Sequence, residues 1–171
     1  MNSNPEEMAV NHQDFILSSS SNPEDFGYDK ENVLTMLDIF ETHDDHAYFY
    51  DENIVNDIGC FYENGICTPK NIERAVYWYE RAVKLGSDLA KSNLADILRK
   101  GTQGYPKDLK RSFELYKSCR LPYAFYRVGE FYENGWVCDK NIEKAKEYYR
   151  VAYREGHHLA QRKLQTFDFL H

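Results

Sequence analysis

The sequence predicts an all-α protein, an α/α solenoid of about three helical hairpins followed by a C-terminal capping helix. Two observations lead to this prediction. A fifteen-residue peptide occurs twice, as FYENGICTPKNIERA at residues 61–75 and as FYENGWVCDKNIEKA at residues 131–145, 70 residues apart. A period of 70 is long for one structural repeat but suits two repeats of about 35 residues. Apolar residues in both copies recur at intervals of three and four, which indicates amphipathic helices.

A degenerate copy lies between the two similar peptides. The string AKSNLADILRKG at residues 90–101 has an alanine and a leucine four residues apart, and equivalent pairs start at positions 54, 90, 124 and 160. These starts are 36, 34 and 36 residues apart. The repeat region at 53–171 therefore divides into units at about 53–88, 89–122 and 123–158, with a capping helix at 159–171, because repeat arrays need a closing element.

The first helix of each similar unit contains one glycine and ends at another. Phe61 and Tyr62 continue the helical spacing, and Gly65 follows them, where it can adopt the left-handed conformation that ends helices. Gly59 lies inside the helix, where glycine costs about 1 kcal/mol relative to alanine. Close approach of a neighbouring helix usually compensates this cost, so we expect tight contacts at Gly59 and at its counterpart Gly129.

The second helix of these units presents small residues on both sides of one tyrosine. Ala75, Tyr79 and Ala82 occupy positions i, i+4 and i+7, and Gly86 follows as a stop. The third unit repeats the stripe, and residues Ala145, Tyr149 and Ala152 are followed by Gly156.

The middle unit keeps the phase of this stripe with different residues. Ser112, Tyr116 and Cys119 take the three positions, and no terminal glycine follows. Pro122 suits the first turn of the next helix, so the connection is expected to be short.

The N-terminal region differs from the repeats. Residues 1–30 are acidic and polar, with the composition of a disordered segment. Residues 31–52 comprise a helix and a loop that lead into the array. In that helix the apolar residues Val33, Leu34, Leu37 and Phe40 are predicted to pack on the first hairpin.

Charge separates the two parts of the chain. Residues 1–52 carry thirteen acidic side chains and one lysine, a balance of −12, whereas residues 53–171 carry twenty basic against fifteen acidic side chains, a balance of +5. Eight of the basic residues lie between Arg99 and Arg127. Halves of opposite sign indicate an acidic tail that is either solvated or docked on a basic surface.

The repeat pattern resembles the Sel-1-like repeat, a family of helical hairpins related to tetratricopeptide repeats. The resemblance rests on two sets of residues: Ile58, Gly59, Tyr62, Gly65, Ala75, Tyr79, Ala82 and Gly86, and Val128, Gly129, Tyr132, Gly135, Ala145, Tyr149, Ala152 and Gly156. The middle unit departs from the pattern at four positions: Ala95, Leu98, Ser112 and Cys119. The resemblance implies a non-enzymatic adaptor or scaffold for a protein or peptide partner, of the kind found in ubiquitin-ligase or membrane-enzyme activator complexes.

Two alternatives follow from the same resemblance. One is a hydrolase of the cysteine-rich secreted branch, although the regularly spaced cysteine pairs of that branch are missing here. The other is an assembly factor in an oxidising compartment. The four cysteines (Cys60, Cys67, Cys119 and Cys138) have no C-x-x-C spacing and are expected to be free thiols, and a bridge between Cys60 and Cys67 is the alternative.

No motif of catalysis, cofactor binding or metal binding is apparent. His43 and His46 are too few for a metal site without further rigid ligands. The aromatic residues of the basic middle unit fall mostly at packing positions, so no nucleic acid is expected as a partner. The N-terminus is acidic, with neither the basic head nor the apolar core of a leader, and no run is apolar enough to span a membrane. These features favour the cytoplasm or the nucleus.

The expected partner surface is the concave face of the solenoid. First helices line that face in related arrays. Nine residues of the first helices are not expected to be needed for packing and are therefore predicted to contact the partner. They are Asn56, Cys60, Glu63, Ser92, Asp96, Arg99, Tyr126, Glu130 and Glu133.

Overall fold

The computed structural model describes residues 23–42 and 50–168, and within these ranges all regular structure is helical. The α-helices are α1 (Lys30–Thr42), α2 (Glu52–Asn64), α3 (Ile72–Leu85), α4 (Asp88–Lys100), α5 (Leu109–Lys117), α6 (Pro122–Asn134), α7 (Ile142–Arg154) and α8 (His158–Asp168). Consecutive helices pack as the hairpins α2/α3, α4/α5 and α6/α7, and α8 packs on α7. Short 3₁₀ turns lie at Pro23–Phe26 and Thr102–Gly104.

The chain forms two compact units that meet in sequence at Ser87 and Asp88. In the described part, the first unit contains α1 to α3 and the second contains α4 to α8. Most of the acidic segment at 1–30 lies outside the described residues, as does the pair His43 and His46.

The second helix of each hairpin begins at a polar capping residue. Asn71 accepts a hydrogen bond from the backbone N–H of Arg74 at 2.9 Å, and Asn141 accepts one from Lys144 at the same distance. Asp108 caps α5 in the same way. Each cap satisfies one of the backbone donors that a helix start leaves unpaired. The recurring Asn-Ile-Glu string is therefore a helix start.

The first helices of the similar hairpins end as predicted. Gly65 and Gly135 adopt φ of 72° and 67°, and their N–H groups donate to the carbonyls of Phe61 and Phe131. Gly86 ends α3 in the same left-handed region, at φ 109°. This conformation is cheap for glycine because it lacks a Cβ atom.

The middle and third hairpins end their second helices differently. α5 ends without a glycine, at Ser118 in a right-handed conformation, and Pro122 begins α6, as the sequence predicted. α7 ends at Arg154, two residues before Gly156, which takes a φ of 101° in the turn that follows.

Helix α1 packs on the first hairpin, which confirms the predicted contact. The Phe40 ring meets the Trp78 ring edge-on, with centroids 5.4 Å apart. Tyr28, just before α1, meets Phe61 edge-on at 5.1 Å. The prediction was wrong for Leu34, which is 46% exposed. The buried stripe of α1 is narrower than its apolar residues suggested.

Candidate partner-binding site

The nine residues predicted to contact a partner occupy three equivalent positions on α2, α4 and α6. Five of them are buried: Asn56, Cys60, Ser92, Asp96 and Tyr126. The other four are half-buried: Glu63, Arg99, Glu130 and Glu133. The premise that packing does not use these positions was therefore wrong for the buried five. Contact of the nine with a partner stays a prediction.

The first hairpin joins its two helices by a tyrosine that lies over a glycine. A Cβ atom added to Gly59 would lie 2.6 Å from the ring of Tyr79, so the close contact expected at this glycine is confirmed. The Tyr79 hydroxyl donates to Glu63 at 2.7 Å and also lies 3.2 Å from the Cys60 sulfur. Because Gly59 has no side chain, the Tyr79 ring can pack against the helix, and its hydroxyl then reaches the carboxylate of Glu63.

The third hairpin repeats this arrangement and extends it to α8. A Cβ atom on Gly129 would lie 2.6 Å from the Tyr149 ring. The Tyr149 hydroxyl donates to Glu133, and the Lys163 ammonium donates to both oxygens of the same carboxylate at 3.0 and 2.9 Å. Glu133 therefore connects α6, α7 and α8.

The middle hairpin makes the equivalent connection with a different acid. Ala95 replaces the glycine, and its carbonyl accepts a hydrogen bond from Ser112 at 2.7 Å. The Tyr116 hydroxyl donates to Asp96 at 2.7 Å. Arg99 occupies the position that Glu63 has in the first hairpin, so the carboxylate has moved by three residues along the first helix.

Asp96 accepts hydrogen bonds from side chains of three helices. Its carboxylate accepts from Tyr116 on α5, from Tyr123 on α6 at 2.7 Å and from Arg99 on its own helix at 2.8 Å. Lys100 lies 3.3 Å away. Burial alone would raise the pKa of Asp96, but the charge of Lys100 and the hydroxyls of Tyr123 and Tyr116 outweigh burial and lower this pKa. The carboxylate is therefore ionised and bonded.

A second polar group follows on α6. Arg127 donates to Glu130 at 2.6 Å, and its guanidinium lies over the Tyr123 ring, 4.6 Å from the centroid. The His157 ring stacks on Tyr126 with centroids 4.5 Å apart. Burial, and then the positive charge of Arg127, lower the pKa of His157. The sequence contains no periodic signal for this ring contact.

Asp57 makes a buried contact that the sequence reasoning missed. It is buried, and it accepts a hydrogen bond from the Tyr28 hydroxyl at 2.7 Å. Burial, and then the charge of Asp57, raise the pKa of Tyr28. The bond attaches the segment before α1 to α2 over 29 residues of sequence, and no short-range pattern predicts such a contact.

The thiols of the described residues are free, and Cys60 and Cys119 are buried. The alternative bridge between Cys60 and Cys67 is not formed. Burial, and then the neighbouring Asp57, raise the pKa of the Cys60 thiol well above its usual value, and burial raises the pKa of Cys119 to about 11. Since the thiolate is the nucleophilic form, both thiols are held in their unreactive form.

Across residues 23–42 and 50–168, no group of three or more His, Cys, Asp or Glu side chains is arranged to hold a metal ion. None of the helices in the same ranges has both the length and the apolarity to cross a membrane.

In each of the three consecutive hairpins, a tyrosine of the second helix donates a hydrogen bond to a carboxylate of the first helix. This repeated arrangement of helices defines an all-α helical repeat protein of the solenoid class. The Sel1 repeat model matches residues 56–87, 89–118 and 122–157. The chain belongs to the Sel1 repeat family, whose members are generally scaffolds for protein interactions.

One curated relative is the chitin synthase regulator SKT5 of Saccharomyces cerevisiae. It is 30% identical over 112 residues, which are 63% of this chain and 16% of the relative. The chain thus spans about a sixth of the length of that protein.

Two solved structures have the same fold. A Sel1 repeat protein from Oxalobacter formigenes has a TM-score of 0.62 at 23% identity, over 66% of this chain and 47% of that one. A protective antigen of uropathogenic Escherichia coli strains, which displays an SLR fold, has a TM-score of 0.64 at 23% identity, over 70% of this chain and 26% of that one.

Proposed function

We propose that the protein is a non-enzymatic adaptor that binds a protein or peptide partner through the first-helix faces of its hairpins, the surfaces around Glu63 on α2, Arg99 on α4 and Glu133 on α6. The observation that carries the proposal is the fixation of these polar side chains by bonds within the molecule. Glu63, Arg99 and Glu133 are half-buried, and each is hydrogen-bonded to a neighbour of its own unit. Side chains that are already ordered lose little entropy on binding, which favours recognition.

The buried residues among the nine first-helix positions are excluded from direct contact with a partner. Asn56 and Ser92 are 1% exposed, so they cannot reach a partner directly. We infer that the half-buried acids and Arg99 make the contacts.

Membership of the Sel1 repeat family supports the scaffold role, and the similarity to a chitin synthase regulator supports a regulatory place in a larger assembly, such as a membrane-enzyme activator complex.

The test is quantitative affinity purification with the full chain as bait. Charge reversal at these positions is a poor tool, because Tyr79 and Tyr149 would lose their acceptors and the fold would weaken. The isosteric double variant Glu63→Gln/Glu133→Gln removes both charges and keeps hydrogen-bonding groups. We expect it to lose most of its specific partners while it stays folded, with its melting temperature lowered by only a few degrees through loss of the Glu133–Lys163 ion pair.

A matched control is the double variant Glu114→Gln/Glu143→Gln, which removes two exposed charges from the second helices α5 and α7. It is expected to keep the partners. If the folded Glu63→Gln/Glu133→Gln variant keeps them as well, the partner site lies elsewhere. If the parent chain captures no specific partner, the adaptor role itself is wrong.

A further inference from the structure

A groove with a volume of about 520 Å³ lies between α1 and the start of α3 in the first unit. Its lining combines aromatic rings with charged rims, and it includes none of the nine first-helix positions. The rings are Phe40, Tyr77 and Trp78, and the charged groups are Glu41, Glu73 and Arg74.

The rings of the groove form a rigid apolar floor and one accessible wall. Phe40 and Trp78 are each 2% exposed and meet edge-on. Tyr77 meets Trp78 edge-on with centroids 5.1 Å apart, yet it is 40% exposed. A large ring held by buried neighbours and open on one side is the usual anchor point for an apolar side chain of a partner.

The charges on the rim favour a cationic partner. Arg74 is engaged, because it donates to Glu41 and to the Tyr62 hydroxyl, each at 3.0 Å. Glu73 is exposed and forms no ion pair within the described residues. The surrounding unit is acidic as well, since residues 23–42 and 50–87 carry twelve acidic and five basic side chains, a balance of −7.

We propose that this groove is a second binding site, which takes a short basic peptide segment with an apolar or aromatic anchor. The anchor side chain lies against Tyr77 above Trp78 and Phe40, and a flanking Lys or Arg pairs with Glu73. The inference adds to the adaptor role a partner chemistry that the first-helix faces do not specify. It concerns a different surface from those faces.

The third hairpin supplies a built-in comparison. Its Asn-Ile-Glu start places Glu143 where the first hairpin has Glu73, and its Glu147 stands in place of Tyr77. Tyr148, the counterpart of Trp78, stacks on Tyr132 with centroids 5.7 Å apart. Glu143 is therefore a carboxylate in the same helical position without the aromatic wall.

The experiment titrates the full chain with acetyl-Lys-Phe-Lys-Leu-Lys-amide and follows the indole N–H signals by heteronuclear NMR. The chain has two tryptophans, Trp78 in the groove and Trp136 in the second unit, and Trp136→Phe assigns the two signals. We expect saturable shifts of the Trp78 signal and a constant Trp136 signal. The acidic analogue acetyl-Glu-Phe-Glu-Leu-Glu-amide is expected to leave both unchanged.

Two variants test the two halves of the site. Glu73→Lys replaces an attraction by a repulsion and is expected to weaken binding about fivefold, since an exposed ion pair contributes up to about 1 kcal/mol. Tyr77→Ala removes the aromatic wall and is expected to weaken it at least as much. Glu143→Lys makes the same charge change at the matched position and is expected to leave the dissociation constant unchanged.

Several results overturn the proposal. One is a Trp78 signal that ignores the basic peptide, and another is an equal response to both peptides. A loss of affinity in Glu143→Lys that matches the loss in Glu73→Lys means unspecific charge attraction and has the same consequence. So does a Trp78 shift that follows protein concentration without peptide, because a second copy of the chain then occupies the groove. The adaptor role is judged separately, by partner capture with Glu63→Gln/Glu133→Gln, which leaves the groove intact.

Discussion

The middle hairpin accommodates its buried tyrosine differently from the first and third hairpins. In the first and third hairpins a glycine admits the tyrosine ring, and the hydroxyl reaches a glutamate four residues after that glycine, as in Gly129 and Glu133. In the middle hairpin Ala95 stands in place of the glycine, and the hydroxyl of Tyr116 reaches the very next residue, Asp96.

The difference shows that each hairpin has a carboxylate acceptor for its tyrosine, whereas the position of that carboxylate along the first helix varies. A buried tyrosine hydroxyl without an acceptor is costly, so every hairpin supplies a carboxylate. The place of that carboxylate along the first helix is free within one turn. The glycines lie where an added Cβ atom would meet the tyrosine ring, and the middle hairpin carries alanine at the equivalent position.

The largest effect is expected from Asp96→Ala, because this carboxylate serves donors from three helices. Its removal leaves Arg99, Tyr116 and Tyr123 without their shared acceptor. We expect a loss of about 3–5 kcal/mol in the free energy of unfolding, measured by urea unfolding and circular dichroism. Glu130→Ala, at the equivalent position of α6, removes an acceptor with fewer partners, Arg127 and Tyr126, both on its own helix, and is expected to cost less. Equal losses would mean that the number of shared donors is not what matters.

A smaller effect is expected from overpacking the tyrosine ring. In Gly129→Val the added branched side chain meets the Tyr149 ring, whose hydroxyl is held by Glu133, so the ring cannot move freely. The expected loss is about 1–3 kcal/mol. The opposite change in the middle hairpin, Ala95→Gly, is expected to cost only about 1 kcal/mol, the helix penalty of glycine. An unchanged urea midpoint for Gly129→Val would contradict the close-contact argument.

Removing single hydroxyls tests whether the three tyrosines are equivalent. Tyr79→Phe, Tyr116→Phe and Tyr149→Phe each delete one hydrogen bond to a carboxylate and are expected to cost about 1 kcal/mol each. Thermal unfolding of the three variants side by side measures the losses. A neutral Tyr116→Phe beside two costly variants would show that the middle hairpin does not depend on this bond.

The smallest effect is expected from acid. Because the pKa of Asp96 is lower in the folded chain than its ordinary value of 3.8, this group stabilises the fold above that value. The contribution is lost as the pH falls through the lowered pKa. Asp96→Asn is expected to flatten this part of the curve of unfolding free energy against pH, relative to the parent chain. A curve with unchanged slope below pH 3.8 would assign the acid sensitivity to other carboxylates.

The sequence alone predicted most of the fold, because its determinants are local. The helix ends at Gly65 and Gly135 and the spacing of the apolar stripes each depend on residues within a few positions of one another. The duplicated peptide then implied that the same hairpin recurs.

The candidate site was predicted less well, for a physical reason. The phase of a helix shows which residues share a face, but not which side chain from another helix covers that face. Cys60 and Ser92 were therefore expected on an open surface and are buried, and Leu34 was expected in the core and is 46% exposed.

The sequence by itself determined the number, phase and ends of the helices, since backbone capping and side-chain periodicity act over one or two turns. Only the tertiary structure decided that Tyr28 bonds Asp57, that Asp96 gathers donors from α4, α5 and α6, and that Phe40 and Trp78 form the floor of a groove. Apart from the bond of Asp96 to Arg99 on its own helix, these contacts join residues between 20 and 38 positions apart. They depend on how the helices pack, which no local pattern encodes.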